Sequence, residues 1–95
     1  MSATHLVVLP TAIDSKIGES LNHRILRLQA EARSLAHEHV EQLRAALADV
    51  ARLSAEICDG GDAYPVGARE VARRLTEEAG HQALTLAAIN DRAMN

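Results

Sequence analysis

The chain has 95 residues, enough for one domain at most, and its hydrophobic content of 47% excludes a disordered tail. Its formal net charge of −3, with acids and bases interleaved along the chain, argues against a nucleic-acid binder, which normally carries an unbalanced basic stripe. Tyr64 is the only aromatic residue. An apolar set made of Ala, Leu, Val and Ile favours narrow helix–helix interfaces over an enclosed ligand pocket.

Residues 1–10 are predicted to form an extended N-terminal arm. The stretch from His5 to Leu9 is partly β-branched and stops at Pro10, but no second strand follows with which it could pair. The apolar run from Leu6 to Leu9 is too short for a signal-peptide core or a membrane span. The single cysteine, Cys58, permits no disulfide within the chain. We therefore expect a cytoplasmic protein that does not contact membranes.

Residues 11–95 are predicted to be a single helical-hairpin domain whose first helix spans about 12–58. Apolar residues recur at spacings of three and four from Ile13 to Ile57, as on one face of a helix. The sequence offers two starts for this helix, a Thr11-x-x-Asp14 capping pattern and Ser20, which follows the helix-weakening Gly18. The expected inner face comprises Ile13, Ile17, Leu21, Ile25, Leu28, Ala32, Leu35, Ala36, Val40, Leu43, Leu47, Val50, Ser54 and Ile57.

A loop at residues 59–65 is predicted to end the first helix and start the second. Gly60 and Gly61 supply the left-handed residue that helix ends favour, and Pro65 suits the first position of the next helix. The second helix then spans about 66–92. Its expected inner face comprises Val71, Leu75, Ala79, Ala83 (or Gln82), Leu86, Ile89 and Ala93.

The unequal lengths of the two helices predict a homodimer. At about 1.5 Å per residue the first helix spans roughly 65 Å and the second roughly 40 Å, so the second covers the first only to about residue 30. Burying the six uncovered aliphatic side chains is worth about 10 kcal/mol in total, comparable with the whole stability of a domain. We expect a second copy to cover them in a four-helix-bundle-like assembly. The predicted dimer interface comprises Ile13, Ile17, Leu21, Ile25, Leu26 and Leu28.

His37-Glu38-His39 is the most suggestive polar cluster, but its spacing does not favour a metal site. The two imidazoles lie about 200° apart around a helix, so they cannot bind one metal together. A metal would need three or four converging ligands, such as His37 with Glu41, or His81 approaching across the hairpin. We expect residues at the boundary between core and solvent, with no catalytic residue, cofactor or metal.

The segment Ser34-Leu35-Ala36-His37-Glu38 resembles the start of the phosphoacceptor box in the dimerisation and phosphotransfer hairpins of bacterial sensor kinases. The resemblance implies a dimeric four-helix bundle in which the His37 imidazole attacks a phosphoryl group and Glu38 orients it. It covers about five residues. The downstream proline is missing, and Glu41 or Gln42 replaces the polar Asn or Thr one turn later. We expect a stand-alone protein without an ATP-binding domain.

The sequence leaves three functional hypotheses. The first is a non-enzymatic interaction or regulatory protein that acts as a homodimer and binds an unidentified protein partner. The second is a stand-alone histidine phosphotransfer protein that uses His37. The third is weak DNA binding through Arg24, Arg27 and Arg33, although Glu31 lies among these bases.

Overall fold

The computed structural model describes residues 20–94, which contain two long helices packed against each other and no strand. Helix α1 is Leu21–Cys58, a short 3₁₀ helix is Gly61–Ala63, and helix α2 is Val66–Met94. None of these helices is both long and apolar enough to cross a lipid bilayer. The predicted all-α class and the helical hairpin are confirmed.

Helix α1 begins directly after Ser20, the second of the two starts that the sequence offers. The backbone N–H of His23 donates to Ser20 Oγ at 3.2 Å, and the N–H of Arg24 donates to the Ser20 carbonyl oxygen at 3.0 Å. Ser20 is thus an N-cap residue. The predicted arm at 1–10, the helix start near residue 12, Ile13 and Ile17 all lie outside the described residues.

The turn between the helices is built around Gly60, Gly61 and Tyr64. Gly61 has a φ of 71°, in the left-handed region, and its carbonyl oxygen accepts a hydrogen bond from the Tyr64 N–H at 3.1 Å. The Tyr64 ring lies so close to the Gly60 backbone that a Cβ at that position would overlap it. The glycine pair thus provides both the chain reversal and the space for the ring.

The structure divides into two units, one that ends at Ser34 and one that starts at Leu35. Of the first unit, residues 20–34 are described, and every one of them is exposed. An ion pair joins Arg27 Nε to Glu31 Oε1 at 3.9 Å. Leu21, Ile25 and Leu28 follow one another at spacings of four and three, so their side chains share one side of the helix.

The second unit is the hairpin proper, in which α1 and α2 meet along a line of mostly small side chains. We call this line the seam. Its members alternate at spacings of three and four on both helices, the pattern of an antiparallel coiled coil. On α1 the seam comprises His37, Val40, Arg44, Leu47, Ala51, Ser54 and Cys58, and on α2 it comprises Arg69, Ala72, Thr76, Ala79, Ala83, Leu86 and Asn90; all are buried or half-buried.

Within the described residues, the buried core consists of three alanines and two polar side chains. Ala72, Ala79 and Ala83 are the buried apolar residues, and Ser54 and Asn90 are buried with them. Asn90 Nδ2 donates to the His37 carbonyl oxygen at 3.1 Å and so links the two helices directly. A core of alanines lets the helix backbones approach closely, but it removes little apolar surface from water.

The seam differs from the inner faces expected from the sequence. Val40, Leu47, Ser54, Ala79, Ala83 and Leu86 lie in it as expected. Leu43, Val50, Val71, Leu75 and Ile89 are exposed instead. Sequence periodicity follows the largest aliphatic side chains, whereas these helices pack through their smallest ones, and the two stripes are one residue apart.

Candidate functional site: an apolar face of the hairpin

A second aliphatic stripe runs along each helix of the hairpin, one residue before the seam. On α1, Leu43, Val50 and Leu53 directly precede seam residues, and Ile57 precedes Cys58 in the same way. On α2, Val71, Leu75 and Ile89 each precede a seam residue. Because a helix turns 100° per residue and the two helices are antiparallel, both stripes face the same side of the hairpin. We call these seven residues the apolar face.

The apolar face is open to solvent in the single chain. The exposed fraction of its side chains ranges from 37% for Val50 to 55% for Val71, apart from Ile57, which is half-buried near the turn. Single exposed aliphatic residues are ordinary on protein surfaces, but a contiguous patch of them marks an interaction site. The apolar face is therefore the candidate functional site.

The opposite side of the hairpin carries the ion pairs. Glu41, Arg52, Glu70, Arg73 and Glu77 each directly follow a seam residue, which turns them away from the apolar face. The shortest contacts join Arg44 Nη2 to Glu41 Oε1 at 2.6 Å and Arg73 Nη2 to Glu70 Oε1 at 2.7 Å. The ion pairs thus lie mainly on one side of the hairpin and most of the exposed aliphatic side chains on the other, although Glu78 and Gln82 also directly precede seam residues and Leu84 directly follows one.

Arginines lower the pKa of two glutamates on the charged side, Glu41 and Glu70. The hydrogen bond from Arg44 holds the pKa of Glu41 below its ordinary value, and the charges of Arg44 and His37 act in the same direction. Arg73 lowers the pKa of Glu70 in the same way, and Arg74 adds to the effect. Both carboxylates are therefore ionised at neutral pH, and each forms an ion pair with an arginine.

The histidine cluster does not assemble a site in the described part of the chain. His37 is half-buried in the seam, whereas Glu38, His39 and His81 are exposed. Residues 20–94 contain no group of three or more His, Cys, Asp or Glu side chains that could hold a metal ion. Phosphotransfer through His37 stays a prediction that the contacts of this residue do not test.

The residues of the predicted dimer interface that lie within the described range are all exposed. Leu21 is 67% exposed, Leu26 59%, Leu28 55% and Ile25 51%. Leu26 lies one residue from Ile25 and therefore off the side that the other three share. The sequence analysis did not identify the apolar face. The sequence does contain its signal, which is a stripe of aliphatic residues that each directly precede a residue of the seam.

Comparison with known proteins adds no identification. No family model matches the chain, and no characterised protein or solved structure is significantly similar to it.

Proposed function

We propose that this chain is a non-enzymatic helical interaction protein that acts as a homodimer. One observation carries the proposal: within residues 20–93, the only buried apolar residues are the three alanines Ala72, Ala79 and Ala83. No Leu, Ile or Val of this range is buried. Because its large aliphatic side chains remain in contact with water, the single chain gains little hydrophobic stabilisation from them. A partner molecule that covered these side chains would supply it.

The energy at stake on the apolar face is comparable with the stability of a small domain. Covering the exposed half of one Leu, Ile or Val side chain is worth about 1 kcal/mol. A dimer that covers six such residues from each copy therefore gains about 10 kcal/mol. Association itself costs at least about 4 kcal/mol in lost freedom of motion, so a surplus remains. Two hairpins packed in this way form a four-helix bundle.

The predicted interface on the first unit offers a second apolar surface. Leu21, Ile25 and Leu28 form an aliphatic stripe of the kind that an amphipathic partner helix covers. Residues 20–34 therefore either take part in the homodimer, as the sequence predicts, or bind a further protein helix. Glutamate substitutions can test the two surfaces independently. Each surface contains residues that are at least half exposed in the single chain, so a glutamate there does not disturb the fold of the chain itself.

Light scattering and sedimentation equilibrium of three variants test the proposal. The wild type is expected at twice the chain mass, and Leu43→Glu with Leu53→Glu is expected at the monomer mass, because two carboxylates on the apolar face would be buried unpaired. Leu21→Glu with Ile25→Glu shows whether the first unit contributes to the same dimer. Ala45→Glu, on the charged side, is the matched control that should remain dimeric.

Two results would count against a homodimer formed through the apolar face. One is a wild type that stays monomeric up to the highest concentration measured. The other is a glutamate pair on the apolar face that leaves the mass unchanged while circular dichroism shows the helices intact.

A further inference from the structure

We draw no further inference here: the strongest candidate, the apolar face along one side of the hairpin, belongs to the function already proposed, and nothing in the structure shows what covers it or in which register.

Discussion

Residues 20–34 and the hairpin from Leu35 onward are both helical, but different interactions stabilise them. The described part of the first unit relies on its capping serine, its local ion pair and intrinsic helix propensity, and an isolated helix of about 15 residues is marginal in water. The hairpin adds a seam in which Ala79 and Asn90 are only 5% exposed. The comparison teaches that helical geometry alone does not reveal where the fold is sensitive to mutation.

The largest expected difference between the two regions comes from adding bulk to an alanine. Ala79→Leu forces three extra carbon atoms into a seam whose backbones are held close, and we expect a loss of about 3 kcal/mol in the free energy of unfolding. Ala32→Leu makes the same change on an exposed part of the first unit and should leave the stability nearly unchanged. Urea unfolding followed by circular dichroism measures both. Equal effects would show that the seam is not the stabilising contact.

A smaller difference is expected from removing a side-chain amide. Asn90→Ala deletes the hydrogen bond to the His37 carbonyl oxygen and should lower the free energy of unfolding by about 1 kcal/mol. Asn22→Ala removes the same group from an exposed position near the start of α1, where water replaces it at no cost. Thermal unfolding of the two variants separates these cases. A more stable Asn90→Ala variant would mean that the buried amide costs more than its hydrogen bond returns.

The smallest expected effect depends on pH. Because Arg73 lowers the pKa of Glu70 below the ordinary value of 4.5, folding favours the ionised carboxylate. Its contribution is present in full above that ordinary value and is lost as the pH falls through the lower folded-state pKa. Glu70→Gln should therefore lower the melting temperature slightly at neutral pH and by less at pH 3. Glu31→Gln is the matched control in the first unit. It removes a carboxylate whose oxygen Oε1 lies 3.9 Å from Arg27 Nε. An equal deficit for Glu70→Gln at both pH values would refute the ionic origin.

The sequence predicts the elements of this fold better than it predicts their contacts. Gly60, Gly61 and Pro65 have strong local preferences, so the turn and the adjoining helix ends follow from them. The seam depends on which of two neighbouring stripes the other helix selects, and that choice is made by the fit between two surfaces. Val71 and Leu75 are the more hydrophobic residues, yet Ala72 and Thr76 are the ones that lie against α1.

The same distinction applies to the candidate site. Exposed Leu21 and Ile25 could be anticipated from the unequal helix lengths, because that argument needs only the positions of the helix ends. The apolar face needs the seam to be known first, since its residues are defined by being one position away from it. The sequence alone assigned Leu43 and Val50 to the interior for this reason.

The contact between Tyr64 and Gly60 gives the chain a built-in optical probe. Tyr64 is the only aromatic side chain in the sequence, so all intrinsic fluorescence comes from the turn. Emission therefore follows the formation of the turn, whereas far-ultraviolet circular dichroism sums the helical signal from both regions. Two unlabelled spectra recorded on one sample can thus report separately whether the turn has formed and how much of the chain is helical.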